Sequence, residues 1–212
     1  MFITFEGIDL SGKSTQCELL KKYLISLGKD VLMLREPGGT KISERIREIL
    51  LDRASDGMVG LAEFFLYSAA RAQLVETVIR PALAEGKVVI CDRFDDSSTA
   101  YQGYARKLGV EKVEAINAIA TGGLQPDLTF FIDIPVEESL KRLKSAGKLE
   151  DRIEAQGNEF FRDVREGYLQ LATRLHSGGI DRFKIINGLD DIVNIERKIR
   201  AIVDECLNLK AC

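Results

Sequence analysis

Gly7-Ile8-Asp9-Leu10-Ser11-Gly12-Lys13-Ser14 is the stretch that decides the fold. It fills the pattern G-x-x-x-x-G-K-[ST] without exception, and its flanks supply the context the pattern requires. Phe2-Ile3-Thr4-Phe5 before it is short and apolar. Ser14 to Leu27 after it carries Leu19, Leu20, Tyr23, Leu24 and Leu27 at helical spacing. A strand, a glycine-rich turn and a helix in that order form a phosphate cradle. Gly7 and Gly12 permit backbone angles that a Cβ disfavours, so successive N–H groups face one point, and the helix adds the positive end of its dipole. In such a loop, running from Gly7 to Ser14 with Thr15 just beyond, Lys13 reaches the β- and γ-phosphates of a nucleoside triphosphate. The Ser14 hydroxyl then binds Mg²⁺.

Outward from the loop, short apolar runs alternate with helical patterns. Phe2 to Phe5, Val31 to Leu34, Val88 to Cys91, Leu128 to Ile134 and Phe183 to Ile186 read as five strands of a parallel sheet covered on both faces. Between them, Ile42, Ile46, Ile49 and Leu50 predict a shared helical face. Leu61 to Glu85 predicts one long helix ending at Gly86 and kinked at Pro81. Later helices are expected over Glu111 to Ala120, Val136 to Ser145, Glu159 to Leu175 and Ile192 to Leu207. This alternation predicts a doubly wound α/β domain covering residues 1–212, with right-handed crossovers. Ser145 to Asn158 breaks the pattern with glycines and charges and reads as a short mobile lid. Val88 to Cys91 ends in Asp92, and an acid at that end of a parallel strand sits where ligands bind. Beside a phosphate loop it is expected to hold the Mg²⁺ shell.

The net charge of −3 gives no global attraction for nucleic acid, so phosphate binding must come from local clusters. Cys17, Cys91, Cys206 and Cys212 are far apart and read as free thiols of a reducing compartment. A single histidine, His176, argues against a His-based triad or a multi-His metal site. No apolar run is long enough for a signal peptide or a membrane span, which makes the cytoplasm the expected location. No Asn is followed by Lys, as a guanine-reading switch would require, and no transport-ATPase signature is present. A compact kinase fits best. A deoxynucleoside kinase and a nucleotide-dependent switch remain the alternatives.

Several segments together resemble the bacterial thymidylate kinase family. They are Glu6 to Asp9 with Ser11 to Thr15, Arg35-Glu36-Pro37-Gly38-Gly39-Thr40, and Asp92-Arg93-Phe94 with Asp96-Ser97-Ser98. Ala100-Tyr101-Gln102-Gly103, Pro126 to Thr129 and Asp151-Arg152-Ile153-Glu154 complete the set. The resemblance implies a nucleoside-monophosphate-kinase-like fold, ATP with Mg²⁺, dTMP as acceptor and a homodimer. It also implies site roles. Arg93 and Arg47 would clamp the acceptor phosphate, a task suited to a planar guanidinium, with Arg45 the competing choice for Arg47. Arg35 and Glu36 would support that cluster. Tyr67 would stack on thymine, with Phe64 and Phe65 as alternatives. Arg71, one turn on, would donate to O4. Ser98 and Gln102 would read the other ring edge, Tyr101 would crowd the 2′ position and Asp9 would accept from the 3′-OH. Arg142 would join the ATP side.

In one respect the chain departs from its relatives. Positions that carry a catalytic arginine in some of them hold Leu10 and Ala146 here. A lid cation is expected to replace that charge, in the order Arg152, Lys148, Lys144.

Overall fold

The five apolar runs form five strands: β1 (Phe2–Glu6), β2 (Val31–Arg35), β3 (Val88–Asp92), β4 (Leu128–Asp133) and β5 (Phe183–Asn187). In the computed structural model, which describes residues 1–147 and 150–210, they make one sheet in the order β2-β3-β1-β4-β5. Every neighbouring pair is parallel. The fold is therefore the five-stranded α/β fold expected of a phosphate-loop kinase. Four strands run one residue past their apolar run, adding Glu6, Arg35, Asp92 and Asn187. Ladder hydrogen bonds use only the backbone, so a polar side chain does not stop a strand. The added residues stand along the carboxyl edge of the sheet, where ligands of doubly wound folds bind.

Side chains alternate across the strands, and both faces are covered. On one face Ile3, Phe5, Ile90, Phe130 and Ile132 pack with α1 (Lys13–Ser26) and α9 (Ile192–Lys210). On the other, Phe2, Val89 and Cys91 meet Leu74, Val75 and Ile79, while Phe131 and Phe183 meet α8 (Asn158–Ser177).

The long helix expected from Leu61 to Glu85 is three pieces. They are α3 (Gly60–Leu74), a wider π-helical turn (Val75–Ile79) and α4 (Arg80–Ala84), with Pro81 in the first turn of α4. Proline lacks an N–H and its ring clashes with the carbonyl four residues back, and the wide turn before it relieves both problems.

In α2 (Lys41–Leu51) the expected shared face divides. Leu50 and Ser43 are buried, whereas Ile42 and Ile49 stay about half exposed, at 53% and 49%. Ser43 explains the rotation. Its hydroxyl donates to Ala70 O of α3 at 2.9 Å, which turns Ser43 and Leu50 inward, two turns apart on one stripe. The remaining helices are α5 (Asp95–Ser98), α6 (Val110–Thr121) and α7 (Val136–Ala146). A π-helical turn over Thr99–Ala105, not expected from the sequence, continues α5. Cys17, Cys91 and Cys206 are free thiols. No helix among the described residues is long and apolar enough to cross a membrane.

Candidate active site

The phosphate loop joins β1 to α1 and is held from beneath. Gly7 has φ +141, and a Cβ there would lie 2.6 Å from Ile132 O of β4. Only glycine lets the loop approach the sheet this closely. Lys13 is buried and folds back over the loop, donating to Ile8 O at 2.8 Å and Gly7 O at 3.1 Å. Burial, assisted by the charge of Arg93, lowers its pKa to about 8. An anion in the loop would raise it again.

Ser14 Oγ donates to Asp92 Oδ2 at 2.6 Å, so the hydroxyl of α1 and the acid of β3 already converge. Both are hard oxygen donors. Mg²⁺ is typically held by one or two carboxylates together with substrate phosphates, and this pair fits that habit. Arg142 of α7 reaches the same side. It donates to Leu10 O at 3.1 Å and Gly188 O at 3.2 Å, and with them lines a cleft beside the loop.

A second cleft opens on the other side of the loop, with Asp9, Arg47, Tyr67, Arg71, Arg93 and Tyr101 in its wall. Arg93 follows β3 in a left-handed conformation, φ +73. Its guanidinium donates to Gly7 O at 2.8 Å and Asp9 Oδ1 at 2.6 Å and lies 5.2 Å from the Tyr101 ring centre. It therefore stands between the two clefts. Burial raises the Asp9 pKa, but Arg93 and Lys13 outweigh it and the net shift is downward.

Arg47 Nη1 donates to Pro37 O at 3.2 Å, and Arg35 Nη1 donates to the same carbonyl at 2.9 Å while pairing with Glu44. Arg47 lines the cleft, Arg35 braces it from outside and Arg45 is exposed. The Glu36–Pro37 peptide bond is cis. Among the aromatic candidates Tyr67 reaches the cleft, whereas Phe64 lies in the core and Phe65 is exposed.

Arg71 is buried in the cleft floor and nearly saturated. Nε donates to Glu36 Oε2 at 2.8 Å, Nη1 to Asn117 Oδ1 at 2.8 Å, and Nη2 to Phe94 O at 3.0 Å and Ser98 Oγ at 3.1 Å. Two other buried groups of the cleft, Glu36 Oε1 and Tyr101 OH, have no hydrogen-bond partner among the described residues. Buried polar atoms are nearly always satisfied, so these two mark a place for a polar ligand.

Part of the segment expected to form a lid packs into the protein. Arg152, the first expectation for a phosphoryl-facing cation, points into the protein. Its Nε donates to Leu50 O at 2.7 Å and its Nη2 lies 2.8 Å from Glu63 Oε2. Ile153 beside it joins the apolar cluster under α8, and this burial draws the arginine inward. Lys148 lies outside the described residues, and Lys144 is exposed at the end of α7.

With this geometry in place, three comparisons bear on the chain. The profile of the thymidylate kinase family matches residues 5–199. The chain belongs to the thymidylate kinase family. A thymidylate kinase of Caldanaerobacter subterraneus subsp. tengcongensis is 50% identical over 206 residues, covering 97% of this chain and 96% of that one. A thymidylate kinase of Thermosipho melanesiensis is 49% identical, covering 98% and 100%. The crystal structure of thymidylate kinase from Ehrlichia chaffeensis superposes with a TM-score of 0.76 at 32% identity, covering 96% and 98%.

Within this thymidylate kinase fold, some cleft residues had escaped the sequence reading. Leu51 and Asp151 line the acceptor side, and Asp190 and Ile192 line the nucleotide side. Glu63 and Asn117 lie behind the acceptor wall and hold its donors in place. Glu63 had a readable signal. It is the only acid in α3 and lies one turn before Tyr67 and two before Arg71.

Proposed function

We propose that the chain transfers the γ-phosphoryl group of ATP to the phosphate of dTMP, yielding ADP and dTDP for dTTP synthesis. The position of Arg93 carries this reading. Its guanidinium touches the phosphate loop on one side and the Tyr101 ring on the other, at the boundary where donor and acceptor phosphates must meet. Arg47 faces the same cleft from α2. Two guanidinium groups suit a phosphate acceptor and have no counterpart need for an uncharged nucleoside.

The triphosphate lies in the loop, with Lys13 on its terminal phosphates and Arg142 flanking the nucleotide. Ser14 and Asp92 would hold Mg²⁺, which neutralises phosphate charge when bound. Tyr67 stacks on thymine, Arg71 donates to O4, and Ser98 and Gln102 read the adjacent edge. Tyr101 disfavours a 2′-hydroxyl, and Asp9 accepts from the 3′-OH. Arg35 and Glu36 hold the clamp and Arg71 from behind. The chain's own contribution is alignment and a fixed field of positive charge, with no covalent intermediate. Lid lysines 144 and 148 supply the remaining charge, since Arg152 is committed to Glu63.

The same reading includes a single domain over residues 1–212, a cytoplasmic setting and a homodimer. The dimer is supported by exposed Ile42 and Ile49 on α2, Leu61 and Phe65 on α3, and Ile119 on α6. The test is ADP formation with no acceptor, thymidine, dUMP or dTMP. Turnover is expected to be fastest with dTMP. Equal rates with thymidine, or turnover independent of acceptor, would overturn the reading.

A further inference from the structure

Glu63 is fully buried behind the acceptor cleft and meets four donor contacts. Its Oε1 accepts from Gln102 Nε2 at 2.8 Å and Arg106 Nε at 3.2 Å. Its Oε2 accepts from Arg106 Nη2 at 3.0 Å and lies 2.8 Å from Arg152 Nη2. Three of these contacts are hydrogen bonds, and the fourth, to Arg152 Nη2, is an ion-pair contact without hydrogen-bond geometry. The two arginines are themselves fixed. Arg106 Nη1 donates to Gln156 Oε1 at 2.6 Å and Arg152 Nε to Leu50 O at 2.7 Å. The carboxylate therefore has one orientation.

An amide side chain has a donor end and an acceptor end of nearly the same shape, and its surroundings choose which end faces where. Glu63 offers Gln102 only lone pairs, so the amide nitrogen must face Glu63. The carbonyl oxygen is then turned toward the cleft that Gln102 lines, and no described residue donates to it. An oxygen acceptor there suits a base edge that presents an N–H. Thymine and uracil present one at N3, and cytosine presents a lone pair. The opposite amide orientation would reverse the preference.

We propose that Glu63 is a positioning residue for base specificity: by fixing the polarity of the Gln102 amide, it makes the acceptor site select an imide-bearing pyrimidine over cytosine. This rests on the dTMP reading of the cleft. A hydrogen-bonding site rejects a mismatched partner because its own buried group is left unpaired.

The test compares kcat/KM for dTMP and dCMP in the full-length enzyme. Glu63→Gln is expected to lower the dTMP-to-dCMP ratio by about tenfold or more, since a donor–acceptor match is worth at least that in such sites. The loss should appear in KM for dTMP, with KM for ATP unchanged. Gln102→Leu should lower the ratio similarly, and the double variant no further than Gln102→Leu alone. Glu63→Asp keeps the charge both arginines require and shortens the reach to Gln102. It should show a smaller loss that also vanishes in the Gln102→Leu background, and it serves if Glu63→Gln does not fold. Unchanged ratios in the Glu63 variants, or losses that add to that of Gln102→Leu, would overturn the proposal alone. A wild-type enzyme with no preference for dTMP over dCMP would overturn the dTMP reading and the proposal with it.

Discussion

At the scale of single residues, site arginines differ in how much else they hold up. Arg71 lies in the cleft wall, yet four of its hydrogen bonds go to the protein itself, one of them to the buried Glu36 carboxylate. Arg71→Ala is therefore expected to do two things. KM for dTMP should rise far more than KM for ATP, and stability should fall by about 3–5 kcal/mol because Glu36 is left buried and unpaired. Urea unfolding and steady-state kinetics check both, and a variant of normal stability would show that the pair is not what holds this floor. Lys13 is the opposite case. Its burial disfavours its charge in the absence of an anion, so Lys13→Ala should abolish transfer while leaving the melting temperature within a few degrees of wild type. The sequence placed Arg71 one turn from Tyr67 on a helical face. It could not show the Glu36 pairing, because 35 residues separate the partners and only the fold closes that distance.

At the scale of elements, local pattern was readable wherever local physics decided the outcome. The phosphate loop, its strand and its helix stand where the glycine spacing and apolar runs put them. Tertiary contacts decided the rest. Ser43 rotates α2, Pro81 splits the long helix, and Ile153 draws the Arg152 end of the expected lid into the core. That last event carries Arg152 to Glu63. Arg152→Ala should lower stability by about 1–3 kcal/mol, since Glu63 keeps its pairing to Arg106 and the loss is the buried contact to Glu63 and the hydrogen bond to Leu50 O. Its kcat, measured well below the new melting temperature, should hold within a few-fold. Collapse of kcat with stability intact would return Arg152 to the transferred phosphoryl.

At the scale of the whole molecule, two properties follow from what the sheet and its helices bury or leave open. Glu6 ends β1 inside the protein, accepting from Phe94 N, Ser97 Oγ and Tyr168 OH, and no cation among the described residues pairs with it. Burial, and then the charge of Asp96, raises its pKa from the usual 4.5 to about 8. The folded state thus binds this proton more tightly than the unfolded one. The resulting stability is complete below pH 4.5 and is lost as pH rises through about 8. Thermal melts across that window should show a decline that Glu6→Gln flattens, and an identical decline in both proteins would remove Glu6 as its source. The exposed apolar side chains of α2, α3 and α6 are the second property. Sedimentation should report twice the 23.6 kDa chain mass, and Phe65→Asp should shift it toward the monomer.

The central claim is that one loop and one arginine pair bring a triphosphate and a monophosphate end to end. It is tested most directly by ³¹P NMR on a single mixture of enzyme, Mg-ATP, thymidine and dTMP. dTDP and ADP should appear in equal amounts, with thymidine untouched and no orthophosphate, and Lys13→Ala should produce neither. Orthophosphate without dTDP, or dTMP rising at the expense of thymidine, would contradict it.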